Sequence, residues 1–237
     1  MKFLIIGDGQ QAKKHKQAIA NIGGDLIGVY DTEKYGHTPR DLPRYLNGTD
    51  WVSICSPSKF HLPQIKKILN ESNVDIICEK PVAMPWENPI DDDRVNIVLQ
   101  YRYLDDMPEK ANKVTVVMAR NAEYFKSYKG NIEDTGGIFY HLFIHYIDLS
   151  IRLNAEFCGE IIPDGTQIRM VDDFDILNID MDKLYTKMYD EIVFKNNGVK
   201  TKDIQYLLWV MKKLDILHTF ESSYKKIKMN EWVKYAV

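Results

Sequence analysis

Cysteine is scarce in this chain: three residues among 237, at positions 55, 78 and 158. Their odd number, wide spacing and lack of any CxxC argue against a disulfide framework or a zinc knuckle. Cys55 and Cys78 fall in strand-like runs, where a buried free thiol is the ordinary role. Long apolar runs are also missing. The opening "MKFLIIGDGQ" holds four apolar residues in a row before Gly7, too few for a signal-peptide core or a membrane span. A soluble, cytoplasmic protein is therefore expected, with no membrane partner. Charge of one sign is not in excess either: 31 basic residues stand against 34 acidic, a formal net charge of -3. No global field would attract nucleic acid or anionic membrane. The acidic stretches "IDDDRV" and "MVDDFDILNIDMD" lack the glycine and distal glutamate of a calcium loop and read as solvated turns and helix starts. No internal repeat or low-complexity linker divides the chain.

What is present is 45% hydrophobic content, enough to bury a core in one large domain or two modest ones. "KFLIIG", "LIGVYD", "DWVSICSP", "VDIICEKP" and "RVNIVLQYR" are short apolar runs of the kind that form buried parallel strands. Helical spacing through Ala12, His15, Ala18, Ile19 and Ile22, and again in "FHLPQIKKILNES", places helices between them. Strands alternating with helices over the first hundred residues predict a doubly wound parallel sheet. The pattern then changes. "KVTVVMA" and "TQIRMV" read as strands, "GGIFYHLFIHYIDL" as a helix, and two further helices are predicted behind Asp175 and Thr201 as N-caps. The tail "SSYKKIKMNEWVKYAV" fits helix and strand equally. The expected fold is α/β: a Rossmann unit over 1–99, then a reduced α+β domain over 100–237 with a small, mostly antiparallel sheet.

"GDGQQA" has the G-x-G-x-x-A form through Gly7, Gly9 and Ala12, between a predicted strand and a predicted helix. Gly7 permits the tight turn, Gly9 lets the backbone approach a pyrophosphate, and the helix start offers free N–H groups. Asp31 closes the second strand about 20 residues on, where a carboxylate bonds the adenosine ribose. That carboxylate would repel a 2'-phosphate, so NAD is expected rather than NADP.

Two of the six histidines lie in the greasy run 136–149. With helical geometry Gly137, His141, His145 and Asp148 share one face. A metal site is disfavoured: no glutamate follows the first histidine as in HExxH, and no third ligand is apparent. A buried structural pair and a proton acceptor beside a substrate both remain.

"GDGQQAKKH", "VSICSPSKFHLPQI" and "VDIICEKPVA", in that order, resemble the glucose-fructose oxidoreductase / inositol dehydrogenase (Gfo/Idh/MocA) family, with "GG…HYIDL" as a further mark. Within it the likeness is to the UDP-N-acetylglucosaminuronate 3-dehydrogenases, through "MPWENP", "VLQYR", "YFKSYKG" and "LYTKMYDEIV…TKDIQYLLWVMKKL". The resemblance implies that Gly7, Gly9, Gln10 and Gln11 lie along the NAD phosphates and that Asp31 holds the adenosine ribose. Ser56, Pro57 and His61 line the nicotinamide side. Glu79 and Lys80 face the nicotinamide ribose and the sugar, and Gln100 and Arg102 project from the strand leading into the second domain. Lys126 and Ser127, with Lys129 close by, match positions that hold the anionic part of a sugar nucleotide. His145 matches the general base, and His141 lines the pocket one turn earlier.

The implied reaction is hydride transfer between NAD and the C3 hydroxyl of a UDP-N-acetyl sugar or sugar acid. His145 takes the proton, and Lys80 keeps it uncharged and stabilises the alkoxide. The implied partners are a small sugar nucleotide and a second copy of the chain, as a homodimer. Three departures mark a shortened form. His141 and Phe143 replace a small polar residue and a glycine, the helix after "EKP" is cut to "WENPIDDD", and almost nothing lies between "CGE" and "GTQIRM". Two alternatives stay open: a dehydrogenase of a free sugar or cyclitol by the general family chemistry, and, motivated by these departures, a binding protein without turnover that acts as a sensor or partner subunit.

Overall fold

The computed structural model describes residues 1–127, 131–137, 139–217 and 227–228. They form two compact units, one of Met1–Tyr103 with Asp180–Ile204, the other of Leu104–Ile179 with the chain from Gln205 onward.

The first unit begins with β1 (Lys2–Ile6), α1 (Gln10–Asn21) and β2 (Asp25–Tyr30). The short helices α2 (Thr32–Tyr35) and α3 (Leu42–Leu46) lead to β3 (Trp51–Ile54), α4 (His61–Glu71), β4 (Asp75–Cys78) and β5 (Val95–Ile97). The strand order is β2-β1-β3-β4-β5 and every pairing is parallel. Phe3 to Ile6 are at most 1% exposed, as a central strand covered on both faces requires. The order reverses between β1 and β3, and their carboxyl ends open the crevice in which such sheets take ligands. The predicted fifth strand is shorter than its apolar run. It stops at Ile97, Val98 N adds one bond to Cys78 O (2.9 Å), and Gln100–Tyr103 turns tightly in a 3-10 helix. Gln100 and Arg102 therefore sit on that turn beyond the strand, not in it.

The second unit contains β6 (Lys113–Ala119), α5 (Ala122–Lys126), α6 (Ile132–Thr135), α7 (Ile144–Arg152), β7 (Glu156–Ile162), β8 (Ile168–Val171) and β9 (Phe174–Asp175). After them α8 (Met181–Lys195) returns to the first unit, while α9 (Gln205–Leu217) and β10 (Ile227–Lys228) belong to the second. Its sheet, ordered β10-β7-β6-β8-β9, is mixed. All of β6 pairs in parallel with β7, and the other three pairings are antiparallel. β7, a strand that was not expected, runs through "CGE" and ends two residues after it. Its buried residues alternate as Phe157, Gly159 and Ile161, and the glycine hides that period, since an added Cβ there would meet the Phe157 ring at 2.8 Å.

Three helix starts differ from expectation. Gly136 and Gly137 adopt φ of 78° and 89°, conformations that a helix does not use, so no helical stripe begins at Gly137. Phe139–Phe143 instead form one wide π turn, and the regular helix starts at Ile144. Asp180, not Asp175, caps α8, its carboxylate accepting from Asp182 N and Lys183 N; Asp175 ends β9 and accepts from Leu177 N. Thr201 opens a 3-10 turn before α9, and its hydroxyl is buried with no partner among the described residues. The tail read as ambiguous lies outside the described residues apart from Ile227–Lys228, as does Lys129.

Candidate active site

The glycine turn and the second-strand acid meet at the carboxyl edge of the first sheet. Gly7 has φ +87°, and a Cβ on it would lie 2.6 Å from Ser56 N, so only glycine lets the β1 and β3 loops approach this closely. Gly9 has open space where a Cβ would stand. It caps α1 without a side-chain bond, which leaves the first-turn N–H groups directed at an incoming anion. Asp31 Oδ2 accepts from Asp8 N at 2.7 Å, and its Oδ1 accepts from Glu33 N and Lys34 N at 2.9 and 2.8 Å. Three amides thus hold the carboxylate over the turn, and lone-pair capacity remains on Oδ2. Gly7, Asp31, Ser56 and Pro57 share one cavity of about 530 Å³ with Tyr30, His37, Gln64 and Lys67.

The middle residue of the turn carries its own charge. The Asp8 carboxylate is bound by Lys16 at 2.5 Å, by Lys34 and by Tyr35 Oη. These bonds hold its carboxyl well below the ordinary range. The two ammonium groups offset a negative charge that would otherwise oppose a pyrophosphate.

Glu79 and Lys80 follow β4. Glu79 is 4% exposed, and a chain of buried side chains supports it. Its Oε1 is 3.0 Å from His15 Nε2, accepts from Tyr185 Oη at 2.8 Å and from Gln11 Nε2 at 3.4 Å. His15 Nδ1 lies 2.6 Å from Tyr189 Oη, which lies 2.6 Å from Ser53 Oγ. Burial alone would raise the Glu79 carboxyl; the His15 bond and charge, the Lys80 charge and the Tyr185 bond outweigh it and hold it at about 2. For Lys80 burial dominates and draws the ammonium below the lysine range, Glu79 opposing and Lys14 reinforcing the shift. The buried tyrosines come from α8, so the segment that returns to the first unit completes this support. His15, Tyr185, Tyr189 and Ser53 were not among the expected site residues. The available signals were a histidine on the apolar stripe of α1 and the i, i+4 tyrosines of "LYTKMY".

The other expected positions divide between surface and support. Gln10 is exposed at the start of α1 and Pro57 is exposed beside Ser56, whose hydroxyl donates to Gln64 Oε1 at 2.6 Å. His61 is buried, with Nδ1 2.7 Å from Pro81 O and Nε2 2.7 Å from Ser56 O. Its ring ties two loops together, and burial lowers its pKa in spite of those carbonyls. Gln100 is 5% exposed, and its Oε1 has no partner among the described residues. Arg102 is half-buried on the same turn.

In the second unit Lys126 ends α5 and Ser127 caps it, both exposed, with Ser127 Oγ donating to Tyr124 O at 2.6 Å. His145 and Asp148 are buried on α7, at 9% and 2% exposure. His141 is half-buried on the wide turn, its ring 6.4 Å from that of Tyr124, over which the Arg120 guanidinium lies at 5.1 Å. Among the described residues no group of three or more His, Cys, Asp or Glu could hold a metal, and no helix is long and apolar enough to cross a membrane.

The cradle at Gly7 and Gly9 and the amide-held Asp31 fit the pyrophosphate and adenosine ribose of a dinucleotide. Geometry and topology thus define the first unit as a dinucleotide-binding Rossmann unit. Residues 1–90 match the Gfo/Idh/MocA family, an oxidoreductase family with an NAD-binding Rossmann fold. The whole chain is similar in fold to the WlbA (WbpB) dehydrogenase of Thermus thermophilus, solved in complex with NAD and UDP-GlcNAcA, at TM-score 0.74 and 20% identity over 95% of this chain and 97% of that one. It is also similar to the WlbA dehydrogenase of Bordetella pertussis in complex with NADH and UDP-GlcNAcA (TM-score 0.61, 18% identity, 92% and 94% coverage). A third likeness is to a probable dehydrogenase from Thermotoga maritima (TM-score 0.60, 12% identity, 90% and 95% coverage).

Proposed function

We propose that the chain is a shortened NAD-dependent sugar-nucleotide dehydrogenase that oxidises the C3 hydroxyl of a UDP-linked N-acetylated sugar or sugar acid. The observation that carries this reading is Lys80, a partly desolvated ammonium at the carboxyl end of β4, held beside the supported Glu79 on the same sheet edge as Gly7 and Asp31. Two solved proteins of similar fold carry UDP-GlcNAcA together with NAD or NADH, which suggests the substrate class. Bound NAD supplies a hydride acceptor; the rest falls to this chain. In this assignment His145 takes the hydroxyl proton, since a neutral imidazole is available near pH 7. The Lys80 ammonium stabilises the developing alkoxide. Arg102, Lys126 and Ser127 bind the anionic part of the sugar nucleotide, and His141 lines the sugar site. Glu79 and Gln100 orient the nicotinamide end.

The test is NADH formation from NAD and UDP-N-acetylglucosaminuronate, followed at 340 nm, with a panel of free sugars and cyclitols alongside. Turnover that disappears in His145→Ala while NAD still binds supports the assignment. Tight NAD binding without turnover on any substrate makes the protein a binding module, and turnover on a free cyclitol alone moves the substrate class. A homodimer is the assembly proposed for this enzyme, and light scattering measures it directly.

A further inference from the structure

His37 holds the far side of the residue that binds the ribose. Its Nδ1 is 3.0 Å from the backbone N of Asp31. An amide nitrogen can only donate, so Nδ1 carries the lone pair. Nε2 then carries the proton and donates to Tyr45 Oη, 2.8 Å away. The ring stacks on Tyr30 with centroids 5.2 Å apart and is flanked by Tyr45 at 5.0 Å and Tyr35 at 5.6 Å. His37 lines the cavity that contains Asp31 and Ser56, and it also borders a second cavity with Asp41 and Arg44. Asp31 is therefore fixed twice: through its carboxylate by three amides, and through its own amide by His37.

We propose that His37 is the positioning residue for the adenosine end of NAD, and that only its neutral form supports tight binding. This rests on the reading of the cavity as the NAD site. A proton on Nδ1 would face the Asp31 N–H donor to donor. The ring must then turn away or seize a neighbouring carboxylate, and in either case Asp31 keeps the three amides on its carboxylate but loses the bond that fixes its own amide, so Oδ2 is less firmly positioned for the ribose. The charged and titratable groups around the ring are Tyr30 and Asp31 at the end of β2, Glu33, Lys34 and Tyr35 of α2, Asp41, Arg44 and Tyr45 at α3, and Lys67 of α4. Lys34 is paired with Asp8, and Asp41 with Thr38 and Arg44. The proton thus acts through the hydrogen bond to Asp31 rather than through an unbalanced local field.

Calorimetry with NAD at pH 8 and pH 5.5 tests this on the native protein, His37→Asn and His37→Ala, with the Asp31 amide followed by ¹⁵N NMR. NAD itself has no group that titrates between those values. Native affinity should fall about five- to tenfold at the lower pH, the equivalent of one lost hydrogen bond, as the Asp31 amide resonance shifts. An asparagine oxygen accepts where Nδ1 did and cannot titrate, so His37→Asn should bind NAD with the native affinity of pH 8 at both values. His37→Ala should be weak at both. The proposal is overturned if NAD binds the native protein equally at both pH values, if His37→Asn keeps the native pH dependence, or if His37→Ala binds like the native protein. Absence of NAD binding by the native protein at pH 8 would instead overturn the cavity's assignment, and this proposal with it.

Discussion

His15 Nε2 stands 3.0 Å from Glu79 Oε1, joining the first helix of the glycine turn to the strand end that carries Lys80. A carboxylate only accepts, so Nε2 donates. Tyr189 then donates to Nδ1 when the ring is neutral, and Ser53 to Tyr189. If the ring gains a proton, both hydroxyls reverse and every bond in the chain survives. The arrangement holds an ionised carboxylate at 4% exposure, where an unsupported one would be costly.

The first prediction concerns acid. The folded Glu79 carboxyl titrates at about 2 against an ordinary 4.5. A depressed folded value means that its contribution to stability is complete above about pH 4.5 and is lost as pH falls toward 2. Urea unfolding at pH 7, 4.5 and 3 should show a falling midpoint in the native protein and a smaller fall in Glu79→Gln. His15→Ala, which leaves the buried carboxylate short of a donor, should cost about 3 kcal/mol at pH 7.

The two glycines of the turn should separate folding from binding. At Gly7 a Cβ would strike Ser56 N at 2.6 Å on a backbone of φ +87°, so Gly7→Ala should lose about 2 kcal/mol or more of stability together with NAD affinity. At Gly9 the space is open. Gly9→Ala should therefore keep its thermal midpoint while NAD binding weakens about tenfold, because the methyl stands where a pyrophosphate must approach. Calorimetry beside thermal melts distinguishes the two cases.

Asp31 should set cofactor choice. Asp31→Ala removes both the ribose acceptor and the cap of α2. NAD should weaken about tenfold or more, while NADP, no longer repelled by the carboxylate, should change little. Competitive titration of NAD against NADP measures the ratio; equal binding of both by the native protein would refute the assignment.

Much of the nucleotide unit was legible because its signals are local. Apolar runs closed by Gly7 and Asp31, and helices spaced through Ala12, His15 and Ala18, depend only on neighbours in sequence. What could not be read there depends on distant residues. Nothing in "LYTKMYDEIV" says that Tyr185 and Tyr189 bond groups 106 and 174 residues away. Nothing in the spacing of "GGIFYHLF" reveals two successive glycines of positive φ, which delay the helix to Ile144. His37 escaped notice for a similar reason: its partner is a backbone amide, which leaves no pattern in side-chain chemistry. β7 was missed because glycine occupies an inward position against the Phe157 ring.

Lys80 should trade stability for turnover. Burial draws its ammonium below the ordinary 10.5, so the folded state holds that proton more weakly than the unfolded chain does. Folding is therefore penalised wherever the unfolded lysine is protonated, and the penalty fades only as pH rises toward 10.5. At pH 7 Lys80→Met removes it while keeping most of the side-chain volume, so the thermal midpoint should stay level or rise. The same change removes the charge assigned to the alkoxide and should lower NADH formation about 10²- to 10³-fold, with NAD affinity within about threefold of native. Melting curves, calorimetry and single-turnover absorbance on one preparation measure all three quantities. A Lys80→Met protein that melts lower and turns over normally would mean that the ammonium is a structural partner of Glu79 and takes no part in the chemistry.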